Sequence, residues 1–186
     1  MEYFDKICID RHLLQNKMPR EVFIIGAPRS GTTLLERILC TSKDFRSLSE
    51  SWGLLAICQL TRKDLSRTIY GEVQLVNAQK ADNALNEIKL ANALMNTYVD
   101  MKAKNLGSFL YLIDKTPRYY YILDELYSAF PNAFFIVLYR PLHERFFSSL
   151  IEFNNNKLSR IDRLYDDLVT STHLMNDFLS KNNNSR

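Results

Sequence analysis

Cysteine, histidine and long apolar runs are all scarce in this chain, and each scarcity closes a class of proteins. The three cysteines, Cys8, Cys40 and Cys58, are odd in number, show no Cys-x-x-Cys spacing and have no histidine beside them. A disulfide framework or zinc site is not expected, and reduced, mostly buried thiols are. The longest apolar stretches, Val22–Ile25 and Ala133–Tyr139, are of strand length, far below the ~20 residues that cross a bilayer. The first residues, MEYFDKICID, mix charges around no apolar centre, so neither a signal peptide nor a membrane anchor is expected and the setting reads as cytoplasmic. Net charge is scarce too. Lys and Arg number 24 against 21 Asp and Glu, leaving +3, too little and too dispersed for a nucleic-acid binder.

What is present is an ordinary globular composition. The 186 residues are 46% hydrophobic and 24% charged, which fits one domain and argues against disorder. Glu21–Ile25 reads as a strand ended by Gly26, and Thr32–Cys40 as a helix with Leu34, Leu35, Ile38 and Leu39 on one face. Helices are expected from Glu50 to about Arg62 and from about Asp82 to Met101, where Leu85, Ile88, Leu94, Met95 and Tyr98 recur near helical spacing. Phe109–Ile113 reads as a strand, Tyr120–Phe130 as a helix stopped by Pro131, and Ala133–Tyr139 as an apolar strand. A helix follows Arg140 to about Phe153, the asparagines at 154–156 break it, and Ile161 to Phe178 line a last helix. Strands without alternation, separated by helices, are what a parallel sheet buried on both faces produces. The expected class is α/β with at least three parallel strands.

The segment Gly26-Ala-Pro-Arg-Ser-Gly-Thr-Thr33 lies between the first strand and the first helix. Glycines there permit a tight turn, backbone N–H groups point inward, and the positive end of the helix meets an anion, so the loop should bind phosphate. The plainer reading is a Gly-Pro turn capped by Ser30 or Thr32. In the nucleoside-triphosphate loop G-x-x-x-x-G-K-[ST], a Lys reaches the β- and γ-phosphates, and here Thr32 holds that place. The cation is inside the loop as Arg29, whose planar fork can hold a phosphate or bridging oxygen. A phosphorylated nucleotide handled without metal is the expected ligand.

Phe23–Leu35 (FIIGAPRSGTTLL) resembles the 5′-phosphosulfate loop of sulfotransferases that use 3′-phosphoadenosine-5′-phosphosulfate (PAPS), in the P-R-S-G-T-T version of bacterial and tyrosyl-protein-type enzymes. Ile113-Asp-Lys-Thr-Pro-Arg118 is similar to that family's D-K-T-P segment, and Val137–Ser148 to its 3′-phosphate motif, an Arg ending a strand and a Ser eight residues later. The three segments fall in family order, and the resemblance covers roughly residues 20–180. It implies a P-loop NTPase-like parallel sheet flanked by helices and a sulfuryl transfer to an unknown acceptor, whether small molecule, carbohydrate or peptide. It assigns Arg29, Ser30, Gly31, Thr32, Thr33, Arg140 and Ser148 to the nucleotide, and Lys115 to the sulfuryl group in flight. In a parallel sheet Gly26, Lys115 and Arg140 all reach the carboxyl edge where ligands collect. Other roles stay open: an ion pair with Glu144 for Arg140, an exposed helix position for Ser148, a solvated cation for Lys115.

The cytosolic members' basic His near the K-T segment is replaced here by Pro117, and His12, His143 and His173 read as surface residues. Glu50, in Leu48-Ser-Glu-Ser-Trp52, stands where tyrosyl-protein-type relatives carry a Glu, and a carboxylate screened by Trp52 suits a general base. The alternative is helix capping by Ser47 or Ser49 with Glu50 in the first turn. Catalytic candidates are thus Arg29, Glu50 and Lys115. A P-loop small-molecule kinase and an inactive nucleotide-binding fragment remain alternatives. Because family members are usually longer, residues 1–186 are expected to be a single domain lacking the C-terminal part of the fold, with an exposed apolar sheet edge and weakened nucleotide binding.

Overall fold

A computed structural model of the chain describes residues 19–61, 87–154 and 164–182. Strand β1 (Arg20–Gly26) leads through the loop into helix α1 (Thr32–Leu39), strand β2 (Phe45–Ser47) and helix α2 (Gly53–Thr61). Helix α3 (Glu87–Ala103) then feeds strand β3 (Tyr111–Asp114), a 3-10 turn (Tyr119–Tyr121) and helix α4 (Leu123–Ala129). Strand β4 (Phe134–Leu138), helix α5 (Leu142–Asn154), a π-helical stretch (Asp166–Thr170) and helix α6 (Ser171–Asn182) complete the order. Cys8, His12, Leu85 and Ile161 lie outside the described residues.

The four strands run parallel in the order β2-β3-β1-β4, an α/β sheet flanked by helices. Side chains alternate across it. Val22 and Ile24 pack with Leu35 and Leu39 of α1, whereas Phe23 and Ile25 enter the larger core with Leu54, Met95, Leu126 and Met175 from the opposite helices. Phe23 is 1% exposed, with the rings of Tyr119, Phe130 and Phe135 within 6.3 Å. The chain leaves β1 toward β2 on one side and leaves β3 toward β4 on the other, so β1 and β3 flank the point where ligands of open α/β sheets bind.

Three expectations change. The short strand β2 has no readable period and was not expected. The apolar β4 was expected to be buried on both faces; among the described residues it lies at the sheet's edge, paired with β1 alone, and all five residues are half-buried. On α1, Leu34 and Ile38 are 65% and 55% exposed, while Leu35, Leu39 and the carboxylate of Glu36 turn inward. The helix has rotated from its apolar face because Glu36 meets partners beneath it. Among the described residues, no helix is long and apolar enough to cross a membrane.

Candidate functional site

The loop after β1 is shaped by close approach and by left-handed backbone. A Cβ on Gly26 would stand 2.7 Å from Cγ2 of Thr32, and Gly31, with φ of 91°, is the N-cap of α1. Arg29 itself has φ of 69°. No side chain caps α1, so neither Ser30 nor Thr32 plays the part of a plain turn cap. The hydroxyl of Ser30 is buried without a hydrogen-bond partner, an arrangement that ordinarily calls for a ligand or water.

Beside the loop, β2 and β3 bring Glu50 to Lys115. Their parallel pairing continues past the strands, with the Leu48 amide donating to the Ile113 carbonyl (2.8 Å) and the Lys115 amide to the Ser49 carbonyl (3.2 Å). The Lys115 ammonium then donates to Oε1 of Glu50 at 2.6 Å and to the Thr33 hydroxyl at 3.2 Å. Its side chain is only 3% exposed, so the solvated lysine is not what forms. Helix α2 begins at Gly53, too late for Ser47 or Ser49 to cap it; the Ser47 hydroxyl instead donates to Glu36. The connection is stapled down by Asp114, whose carboxylate accepts from the hydroxyls of Ser51 (2.8 Å), Tyr119 (3.0 Å) and Thr116 (3.2 Å). Burial pushes the Asp114 carboxyl up to about 6 despite those three donors, and the charge of Glu36 adds to the rise.

On the β4 side, Arg140 donates to the Arg29 carbonyl at 2.9 Å and to Glu144 at 2.9 Å, so the ion pair and the loop contact coexist. The Nε of Arg29 donates to the Ser148 hydroxyl at 2.8 Å, and its Nη1 is 3.7 Å from Glu152. The structure therefore gathers Arg29, Arg140 and Ser148 at one end of the loop and Thr33, Glu50 and Lys115 at the other. His143 and His173 are exposed and line no part of the cavity described next.

A cavity of about 530 Å³ opens over this edge, lined by Arg29, Thr32 and Thr33, by Glu50 and Trp52, and by Pro117, Arg118 and Asp167. Arg118 and Asp167 carried no readable sequence signal. The Arg118 guanidinium makes two 3.1 Å bonds to the Asp167 carboxylate, which also accepts from the Tyr120 hydroxyl at 2.7 Å. Asp167 sits in the π-helical stretch, and Arg145 of α5, 4% exposed, donates to the carbonyls of Asp167 (3.0 Å) and Leu168 (2.8 Å), which also accept from the hydroxyls of Ser171 and Thr172. Among the described residues, the non-glycine positions with positive φ are Arg29, Ser49, Trp52 and Arg118. Three of these line the cavity and the fourth adjoins Glu50. Backbone strain of this kind persists where surrounding structure enforces it, and it collects at functional sites.

Comparison with known proteins gives the family. The model of the sulfotransferase family matches residues 19–184. The chain belongs to the sulfotransferase family. It is 34% identical over 127 residues to nodulation protein NoeE of Sinorhizobium fredii, covering 66% of this chain and 29% of that protein. It is 30% identical over 119 residues to human protein-tyrosine sulfotransferase 1, covering 64% and 30%, and the mouse counterpart aligns equally. This sulfotransferase chain thus spans about 30% of the length of the curated relatives it matches. The matched region contains the loop, the Lys115 segment and the Arg140 segment.

Proposed function

We propose that this sulfotransferase domain binds PAPS and moves its sulfuryl group to a hydroxyl or amine acceptor. The observation that carries the reading is the convergence of Glu50, paired with the buried Lys115, and a loop cation, Arg29, on the same cavity edge. The residues fit the nucleotide. The partnerless Ser30 hydroxyl, the uncapped start of α1 and the open space around Gly31 suit a 5′-phosphosulfate. Arg140 and Ser148, tied to the loop through Arg29, suit a 3′-phosphate.

In this reading Glu50 takes the proton from the acceptor as the acceptor's oxygen or nitrogen bonds to sulfur. The bond between sulfur and the bridging oxygen breaks, and the electron pair stays on that oxygen. Lys115 and Arg29 neutralise the charge that grows there. Charges fixed in advance within a water-poor site supply most of the stabilisation in transfers of this type. Trp52, Pro117 and Arg118 line the same cavity and suit the acceptor. A relative named for protein tyrosine makes a tyrosyl peptide one acceptor to try.

The kinase alternative predicts dependence on ATP and magnesium, and Thr32 in place of the loop Lys weighs against it. Calorimetric titration with 3′-phosphoadenosine-5′-phosphate, with ATP–Mg as control, separates the two. Binding that requires the 3′-phosphate is expected. Tight ATP binding with no preference for the 3′-phosphate overturns the reading. Binding without any transfer from PAPS to an acceptor panel identifies an inactive nucleotide-binding chain.

A further inference from the structure

Glu36 has no part in the chemistry just described, yet its carboxylate is buried directly behind the site. It sits in the second turn of α1, 7% exposed, between Leu35 and Leu39, which pack on the sheet. Glutamates are almost never buried so deeply unless paired, because removing a carboxylate from water is costly. Both of its oxygens are engaged. Oε1 accepts from the Ser47 hydroxyl, and Oε2 lies 3.6 Å from the Lys115 ammonium.

Lys115 therefore has three acceptors around one ammonium: Glu50, Thr33 and Glu36. They are not equivalent. Glu50 is 38% exposed and, like Thr33, lines the cavity; Glu36 is 10% exposed in its side chain and does not. Anything that enters the cavity competes for the outer acceptors and leaves the inner one in place.

We propose that Glu36 is a positioning residue, the fixed inner counter-ion that holds the Lys115 ammonium at the end of β3 while Glu50 is released to face the acceptor. The inference rests on the sulfuryl-transfer reading for what Glu50 and Lys115 do. The physical need follows from burial. A base whose cation has no other partner is locked to it, since turning away strands a buried charge. With Glu36 beneath, Lys115 keeps one carboxylate after Glu50 has taken a proton, and the charge meant for the departing oxygen stays at the strand end. The same need explains why α1 is rotated so that Leu34 and Ile38 face outward.

Glu36→Gln keeps the shape and the contact with Ser47 while removing the charge. In the folded variant, affinity for 3′-phosphoadenosine-5′-phosphate should stay within about 3-fold and the acceptor KM should hold, while kcat falls about 30-fold, less than the roughly 100- to 1,000-fold lost with a group that itself faces the reacting atoms. In a Lys115→Ala background the same change should cost nothing further, as expected of groups acting as one unit. Acetic anhydride labelling of Lys115, read by mass spectrometry, should be several-fold faster in E36Q, and this readout needs no turnover. Should E36Q not fold, Ser47→Ala, which removes the donor to Glu36 together with an acceptor of the Ser49 amide, is expected to lower kcat about 10-fold with binding intact, the scale of one lost hydrogen bond to a charged group.

A folded E36Q with wild-type kcat and wild-type labelling overturns the role given to Glu36, as does an undiminished E36Q effect without Lys115. A wild-type chain that neither binds the nucleotide nor transfers a sulfuryl group, yet labels faster once Glu36 is changed, overturns the sulfuryl-transfer reading and leaves the ion cluster standing.

Discussion

The two ends of the loop are built on opposite principles. At the β3 end, Lys115 is 3% exposed in its side chain, and backbone bonds from β2 and β3 fix its relation to Glu50. At the β4 end, Arg29 and Arg140 are each 38% exposed in their side chains and are held mainly by one another, by Ser148 and by rim carboxylates. Exposed ion pairs are weak, about 0–1 kcal/mol, whereas an unpaired charge in the interior is severe. One end is therefore stiff and the other adaptable. In the proposed reaction the stiff end serves the reacting atoms, and the adaptable end serves a nucleotide whose charge the arginines can turn to meet.

The sharpest test of that contrast is Glu50→Ala. Turnover should fall by about 1,000-fold, within the range for loss of a general base, while nucleotide binding measured by calorimetry stays intact. Unchanged turnover removes Glu50 from the mechanism. Next in size is Asp114→Asn, which tests the stiffness itself. The folded carboxyl is raised to about 6 from an ordinary 3.8, so the folded protein holds its proton where the unfolded chain has lost it. Stability from this group is present at the acid side and is lost as pH rises from about 4 through about 6. The Asn variant should escape that loss and gain on the wild type by about 2–3 kcal/mol between pH 4 and 7. Urea midpoints of both proteins across that range decide it, and parallel curves would mean that Asp114 is not the group responsible.

At the adaptable end, losses should be smaller and should appear in binding. Arg140→Ala is expected to raise the Kd for 3′-phosphoadenosine-5′-phosphate about 10-fold, the scale of one charge-assisted hydrogen bond. Ser148→Ala should raise it only about 3-fold. An Arg140 variant that instead loses kcat at unchanged affinity would erase the distinction between the two ends.

Sequence reasoning reached the adaptable end more easily than the stiff one. The loop, the strand-ending Arg140 and Ser148 are short strings whose meaning lies in local spacing, so Gly26–Thr33 and Arg140–Ser148 could be read directly. The cluster of Glu36, Glu50 and Lys115 draws on three distant parts of the chain, joined only because β2 and β1 both pair with β3. Nothing in a linear pattern announces that. A signal for Glu36 did exist in the glutamate placed among apolar residues on α1. The edge position of β4 was hidden for another reason: an apolar run reads alike at the centre of a sheet and at its border.

Helix α5 has one more consequence. Ser148, which accepts from Arg29, and Arg145, which grips the carbonyls under Asp167, are three residues apart, a rise of about 4.5 Å. The helix is a crossbar between the Arg29 rim of the cavity and the wall formed by Arg118 and Asp167. Any slide of that bar moves both ends at once, so in the proposed reaction the fit of the nucleotide and the shape offered to the acceptor are one mechanical variable.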